Sequence, residues 1–356
     1  MQTQGSKNDF SGQNIYVGID VHLKSWKVTI MMESLFKTTF SQNPCAETLY
    51  NYLVKNFPGA TYFSAYEAGF SGYWTHYKLL SHGINSIVVN PADIPTTAKE
   101  KVQKEDARDS RKIARSLKNS ELVPIYIPSL VSLGDRELLR LRKTAVNDTT
   151  RTKNRIKSSL YFNGISIPEE INTPKWNKKL LKWLDELELE NVNKQTLDSH
   201  LSTLNHMRQI TLKLTKQIEL LSKTEKYEKN FDLLRTIPGI GQITAMTILT
   251  ELENIGRFNS LDKLCSFIGL VPSTNSSGDI ERTSDITSRG HKVLRSALIE
   301  SAWVAARVDP ALAKCYNHYC KRMNANKAII RIAKKLLSRI RYVLKNKQPY
   351  VLGVIS

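Results

Sequence analysis

The apolar positions in the first third of the chain predict a mixed α/β domain. Three short runs favour an antiparallel meander, because they follow one another closely and part of the second alternates. Two later runs are separated by segments with helical spacing at 46–56 and 72–81. Strands followed by alternating helix and strand match a ribonuclease-H-like arrangement, so an α/β fold is expected for 14–125. The runs predicted as strands are 14–20, 26–32, 36–40, 60–66 and 85–90.

Beyond residue 125 the pattern becomes helical. The range 126–229 is predicted to be a helical hairpin or coiled coil, since its apolar residues recur at threes and fours and form a narrow seam. Packing within one chain and packing in a dimer both account for such a seam. The seam residues are Leu197, Leu201, Leu204, Met207, Ile210, Leu214, Ile218 and Leu221.

The last range, 230–356, is predicted to be an all-α domain, and 1–13 a disordered lead. The segment LRTIPGIGQIT at 234–244 has a helix-hairpin-helix form, in which amides beside the glycines can meet a DNA phosphate. A purely structural tight turn is the alternative. The polar stretch 273–291 is typical of a flexible connector. Because it lies between helices of a dense module, we expect it to expose a functional group.

The net charge of the chain is +19, which indicates a polyanionic partner. A hydrophobic share of 41% is that of a globular protein, and no apolar run approaches the length of a membrane span. The polar start lacks the apolar core of a signal peptide. We therefore expect a cytoplasmic protein with no membrane partner.

The basic charge is concentrated at the end of the chain, where the range 311–356 has no Asp or Glu. Its cations follow the spacing of apolar residues, which predicts an amphipathic basic helix. A solvated face and an anionic membrane surface are alternatives, but the one-sided stripe favours contact with phosphates. The cations are Arg331, Lys334, Lys335, Arg339 and Arg341, and the apolar positions are Ile329, Ile330, Ile332, Leu336, Leu337 and Ile340.

Carboxylates follow two of the predicted strands and begin one helix. Asp20 and Glu67 stand at strand ends, whereas Asp106 and Asp109 lie at i and i+3 on one face of a helix in 104–117. A lone acid after a strand usually caps a turn. Four acids from three elements instead predict a site for Mg²⁺, which prefers carboxylate oxygens. Two such ions about 4 Å apart can serve phosphodiester displacement.

Arg108 and Arg111 lie beside the acids of that helix. They can neutralise the carboxylates or contact phosphate, and the sequence leaves both roles open.

Taken together, these motifs resemble the DEDD-type transposases of insertion sequences, the group of bridge-RNA-guided recombinases. The matching segments are YVGIDV, YEAG, EDARDSRKIAR, IPGIG and GLVPSTNSSG followed by GH, and they cover nearly the whole chain. The resemblance implies a resolvase-like ribonuclease-H fold and a metal site for Mg²⁺, with Mn²⁺ as an alternative, formed by Asp20, Glu67, Asp106 and Asp109. It also implies that Ser277, or failing that its neighbour Ser276, is the nucleophile.

The resemblance further implies partners and assembly. They are donor and target double-stranded DNA, a structured bridge RNA encoded by the element, and dimers and tetramers whose active sites combine domains of different subunits. Nucleoid association in a bacterial cytoplasm is expected with them. An RNA guide fits the basic excess, because pairing then identifies the sequence while protein contacts the backbone.

Three other functions are alternatives to this one. A resolvase-like nuclease would need the four acids but not Ser277. A non-catalytic RNA-binding scaffold would need neither. A sugar kinase also begins with a GID strand, but the chain shows no later Gly-rich phosphate loops.

Overall fold

The computed structural model describes residues 9–33, 35–96, 106–173, 176–277 and 280–352, with backbone alone at 106–107, 274–277 and 280–285. The chain divides into two compact units, a first unit of Met1–Ile127 and a second unit of Pro128–Ser356. Within the second unit, helices from both 126–229 and 230–356 contribute to one apolar core that includes Leu139 and Ile218. The division of this unit into two domains stays a prediction.

The first unit is a mixed α/β domain with a five-stranded sheet in its described residues. The strand order is β3-β2-β1-β4-β5, with β1, β2 and β3 antiparallel and β4 and β5 parallel to β1. The predicted meander and the two later strands are thus confirmed. The strands are β1 (Asn14–Val21), β2 (Trp26–Met31), β3 (Phe36–Gln42), β4 (Thr61–Glu67) and β5 (Asn85–Val89), and the helices are α1 (Ala46–Asn56), α2 (Trp74–Ser81) and α3 (Asp106–Lys118).

Strand β1 is covered on both faces. Ile15, Val17 and Ile19 are fully buried in a core that also contains residues of α1 and α2. On the opposite face, a Cβ at Gly18 would lie 2.2 Å from the backbone oxygen of Ser110 in α3. Only glycine allows the helix to approach the strand so closely.

The second unit begins with two long antiparallel helices, α4 (Leu130–Phe162) and α6 (Asn191–Ser222), joined through the short helix α5 (Lys178–Asp185). At one end Asp135 accepts hydrogen bonds from Lys226 and Tyr227, and at the other end Asn193 donates to Asn163. Leu197 and Leu204 of the seam are buried with Ile156 and Leu160 of α4 and with α5. Of the two explanations of the seam, packing within the chain is confirmed for these residues.

The remainder of the second unit is helical apart from one β-hairpin. The range 273–291, predicted as a connector, contains strands β6 and β7, so the expectation of an all-α region is wrong here. Its polar sequence gives no alternating apolar pattern that would predict strands. The elements are α7 (Glu228–Arg235), α8 (Gln242–Leu252), α9 (Leu261–Ile268), β6 (Pro272–Ser277), β7 (Ile280–Ile286), α10 (Lys292–Val308), α11 (Pro310–Cys320) and α12 (Ala325–Asn346).

The IPGIG segment forms the turn between α7 and α8. Gly239 has φ +85°, and a Cβ there would lie 2.3 Å from the backbone oxygen of Ser301 in α10. The glycine therefore has a packing role, since it lets the turn lie against a helix of the core. Phosphate binding by this turn stays a prediction.

Helix α12 is amphipathic, as the sequence predicts. Ile329, Ile332, Leu336, Leu337 and Ile340 are buried in the core of the second unit. Across the described ranges, no helix combines the length and the apolar character that crossing a bilayer requires.

Candidate active site: a carboxylate cluster and a serine-bearing hairpin

Asp20 and Glu67 lie next to each other at the carboxyl ends of two parallel strands. Ile19 of β1 pairs with Tyr66 of β4, so the following residues occupy adjacent positions on neighbouring strands. Such strands lie about 4.8 Å apart, and residues at equivalent positions point to the same face. The side chains of Asp20 and Glu67 are 22% and 34% exposed, and both can therefore be reached from solvent.

Helix α3 brings Asp109 to these two acids. The ammonium of Lys112, one turn further along α3, lies 3.2 Å from Asp109 Oδ1 and 3.7 Å from Glu67 Oε1. Lys112 itself is only 9% exposed. A buried ammonium between two carboxylates offsets part of their mutual repulsion and holds them near each other.

The pKa of Glu67 reflects the charges of the residues around it. Burial raises the pKa of Glu67 above its ordinary value, Lys112 lowers it, and the negative charges of Asp109 and Asp20 raise it again. Glu67 is therefore close enough to both aspartates for their negative charges to affect its ionisation. The cluster favours positive charge, and its oxygen donors have the chemistry that Mg²⁺ prefers.

Asp106 is the first residue of α3, three positions before Asp109 and on the same face of the helix. Its side chain lies outside the described residues. Among the side chains that the structure does describe, no three His, Cys, Asp or Glu groups lie together as metal ligands. The structure places Asp20 beside Glu67 and links Glu67 to Asp109 through Lys112, whereas their joint role as metal ligands and the part of Asp106 stay predictions.

Ser277 ends strand β6, where its backbone pairs with Ile280 across the hairpin turn, and Ser276 pairs with Glu281. The side chains of both serines lie outside the described residues. At the root of the hairpin, Thr287 N donates to Val271 O at 3.0 Å, and the Arg295 guanidinium donates to the carbonyl oxygens of Gly269 and Thr287. The predicted nucleophile is thus placed next to the turn of a hairpin whose root is held by α10.

Two family models match the chain. Residues 17–163 match a transposase model named DEDD_Tnp_IS110, and residues 231–317 match the model described as transposase of the IS116/IS110/IS902 family. The first covers the strands and helix of the carboxylate cluster, the second the serine-bearing hairpin, and together they span more than half of the chain. The chain belongs to the IS110/IS116 family of transposases.

Individual members of the family are similar to much of the chain. The transposase for insertion sequence element IS1533 of Leptospira borgpetersenii is 25% identical over 95% of this chain and 97% of its own length. The protein y4qE of Sinorhizobium fredii, which carries the name of a transposase, is 28% identical over 70% of this chain and 60% of its own length. A pilin gene-inverting protein of Moraxella bovis is 31% identical over 41% of this chain and 47% of its own length.

In this transposase, a buried ionic network centred on Glu251 contacts the segment that follows the hairpin. Glu251 of α8, whose side chain is 1% exposed, is bound by Arg140 through two hydrogen bonds of 2.8 and 2.9 Å. His291, which follows the hairpin, lies with Nε2 3.1 Å from Glu251 Oε2. Burial alone would raise the pKa of Glu251, but the hydrogen bonds from His291 and Arg140 lower it to about 2.

Both ring nitrogens of His291 are engaged. Nδ1 accepts a hydrogen bond from the amide of Leu294 and so caps α10, while Nε2 faces the Glu251 carboxylate and donates to it. These two contacts hold the ring of His291 between the start of α10 and Glu251 of α8. Its role in the GH motif is to fix the end of the hairpin to α8.

Sequence reasoning missed two residues at the carboxylate cluster. One is Lys112, which stands three positions after Asp109 and therefore on the same helical face. The other is His22, whose Nε2 lies 3.0 Å from Asp20 Oδ2. Arg111, one of the two arginines considered for neutralising the acids, instead donates to Thr39 Oγ1. Its guanidinium also lies over the ring of Phe36, on the side of β3. The i+3 spacing was the signal that could have identified Lys112.

Proposed function

We propose that this chain is an insertion-sequence transposase that cuts and rejoins DNA with a metal-binding carboxylate cluster and a serine nucleophile. The observation that carries the proposal is the position of Asp20 beside Glu67 at the ends of two strands, with Lys112 between Glu67 and Asp109. A ribonuclease-H-like fold of the first unit belongs to the proposal, and the strand order with α3 on one face supports it. The proposed metal ligands are Asp20, Glu67, Asp106 and Asp109.

The carboxylates would hold divalent cations, Mg²⁺ or Mn²⁺, and the charge of these ions would stabilise the oxygens of a phosphodiester undergoing displacement. Asp20 and Glu67 supply oxygens from rigid strand ends. Asp109, and in this proposal Asp106, supply them from the first turn of α3. Lys112 keeps Glu67 and Asp109 in place at the edge of the cluster.

The covalent step forms a bond between Ser277 Oγ and the phosphorus while one P–O bond of the DNA strand breaks. The hydroxyl of Ser277 loses its proton, and the leaving DNA oxygen gains one to become a free hydroxyl. The phosphoserine ester retains the bond energy, so the reverse attack by another DNA hydroxyl rejoins strands. A serine hydroxyl is a weak nucleophile at neutral pH and needs activation, which is the reason for coupling it to the metal site.

The proposed partners are donor and target DNA together with a bridge RNA that pairs with both. The net charge of +19 supports a nucleic acid partner of this kind. The proposal also includes dimers and tetramers whose subunits share active sites. It further includes association with a bacterial nucleoid.

Substitution of the nucleophile tests the reaction. Ser277→Ala is expected to abolish both strand cleavage and the covalent protein–DNA adduct seen on denaturing gels, whereas Ser276→Ala, its matched neighbour, should leave both. If Ser277→Ala still cuts in a metal-dependent manner, the protein acts as a resolvase-like nuclease with water as the attacking group. If Ser276→Ala abolishes the adduct instead, the nucleophile is Ser276.

The guide requires a separate experiment. The protein is purified with co-expressed DNA flanking its element, and any bound RNA is sequenced. A discrete structured RNA supports guidance, and random fragments contradict it.

A further inference from the structure

A basic groove lies in the second unit beside the root of the serine-bearing hairpin. It has a volume of about 1240 Å³ and is lined by Pro272 and Ile286, by residues of α9 and α11, and by α12. We name it the basic groove, because α12 lines it with Lys327, Arg331, Lys334 and Lys335.

The cations of the basic groove are spread along a line. From Lys327 to Lys335 the helix rises about 12 Å, because each residue adds about 1.5 Å. Phosphates of one nucleic acid strand repeat about every 3.4 Å along the axis, so this row matches three or four of them. A single small anion would need donors that converge on one point. The arrangement therefore fits a polymer of phosphates.

Individual contacts support the same conclusion. Arg331 lies with its guanidinium carbon 5.4 Å from the ring centre of Tyr319, which orients an otherwise exposed side chain at the groove. Lys335 is exposed, whereas Lys334 is paired with the Asp262 carboxylate at 3.1 Å, so Arg331 and Lys335 are the main candidates for phosphate contact. An anionic membrane is a poorer occupant, because the apolar face of α12 is buried in the core and is not presented to lipid.

The basic groove is linked to Ser277 through β6. Pro272, the first residue of this strand, lines the groove, and Ser277 is the last. Five residues of strand span at most about 17 Å. A nucleic acid strand in the groove thus lies within about five nucleotide steps of the proposed nucleophile. The strand that Ser277 attacks is DNA, so adjacency favours DNA over RNA as the occupant.

We propose that the basic groove binds the DNA backbone next to the phosphodiester that Ser277 attacks. This inference rests on the proposed function. The lysines and Arg331 contact phosphates and set the register of the DNA, while the root of the hairpin, held by Arg295, fixes the distance from these contacts to the serine.

Salt-dependent binding tests the groove. Fluorescence anisotropy with a labelled DNA duplex of mixed sequence is measured for Arg331→Ala and Lys335→Ala, with Lys345→Ala as the control. Lys345 is exposed on the same helix and does not line the groove. Each groove variant should make the negative slope of log K against log salt shallower by about 0.9, the value for one lost phosphate contact. Equal slopes for the wild-type protein and the groove variants, or the same loss in the control, overturn the proposal.

A second probe decides between the two nucleic acids. An RNA stem-loop of the same length is titrated in parallel, and benzoylphenylalanine is placed at Ser338 in the groove or at Asn346 outside it. Weaker DNA binding by the groove variants, with DNA crosslinked from Ser338 and not from Asn346, supports the proposal. If the variants weaken RNA binding alone, or Ser338 crosslinks RNA in preference to DNA, the groove is an RNA site and the proposal is wrong.

The binding experiments do not require cleavage. Loss of the groove contacts therefore gives a different result from failure of the serine chemistry, which is measured with Ser277→Ala in the cleavage assay.

Discussion

Gly18 of β1 lies directly beneath Ser110 of α3, so closely that a Cβ on Gly18 would be 2.2 Å from the Ser110 backbone oxygen. Thr29 of β2 binds the hydroxyl of the same serine at 2.9 Å in a buried position. This contact sets the height of α3 above the sheet. Because Asp20 lies two residues after Gly18 and Asp109 one residue before Ser110, it also sets the distance between the strand acids and the helix acid.

Gly18→Ala should separate α3 from the sheet. The added methyl group meets backbone atoms of α3, so the helix has to shift, and overpacking of this kind costs about 1–3 kcal/mol. We expect a lower melting temperature. We also expect metal-dependent cleavage to fall by more than the smaller fraction of folded protein accounts for. Gly134→Ala is the matched control, since a Cβ there meets nothing within 4 Å in the helix α4. This control should be neutral or stabilising by up to about 1 kcal/mol, and an equally stable, active Gly18→Ala protein would contradict the argument.

Lys112→Met should leave Glu67 and Asp109 without their shared cation. In the absence of metal we expect a stability loss of about 1 kcal/mol, kept small because both carboxylates are partly exposed. Mg²⁺ should then raise the melting temperature of the variant more than that of the wild-type protein, since the cluster has become more negative. Thermal melts with and without Mg²⁺ measure both effects. Arg111→Met, which removes a cation facing Phe36, should not change the response to Mg²⁺.

Asp20→Asn and Glu67→Gln should each abolish Mg²⁺-dependent strand cleavage while the fold is retained. Each change removes the charge of a proposed oxygen ligand but keeps the size of a partly exposed side chain. Cleavage is measured over a titration of Mg²⁺ and Mn²⁺, and folding by circular dichroism. Glu47→Gln, an exposed acid on α1, serves as the control and should retain activity. Unchanged cleavage in either cluster variant would remove the metal role of that residue.

The stability of the second unit should fall in acid because of Glu251. Its pKa is about 2 in the folded protein and 4.5 as the ordinary value, so between these values the unfolded chain binds more protons. The stabilisation is complete above pH 4.5 and is lost as pH falls towards 2, an effect of about 3 kcal/mol.

Denaturant unfolding at several pH values measures the effect of Glu251. The Glu251→Gln variant should be less stable at neutral pH and should lack this acid-dependent step. Glu300→Gln, an exposed acid on α10, should follow the wild-type curve. An acid step that persists unchanged in Glu251→Gln would assign it to another group.

The local pattern of the sequence determined the strands and helices of the first unit, the amphipathic face of α12 and the acids at the strand ends. These features depend on the alternation of side chains along a strand or on helical periodicity, which neighbours in the chain impose on each other. The segment 273–291 lacks such a pattern, and its hairpin consists of β6 and β7 paired with each other. A connector was predicted there because Ser, Thr and Gly carry no apolar signal.

Tertiary structure alone decided which cation pairs with Glu67 and Asp109, and which residues hold the end of the hairpin segment. Lys112, and not Arg111, reaches Glu67, because the orientation of α3 on the sheet turns one helical face towards β4 and the next towards β3. His291 meets Glu251 from 40 residues away. Such contacts depend on the packing of elements distant in the chain, and local periodicity contains no information about them.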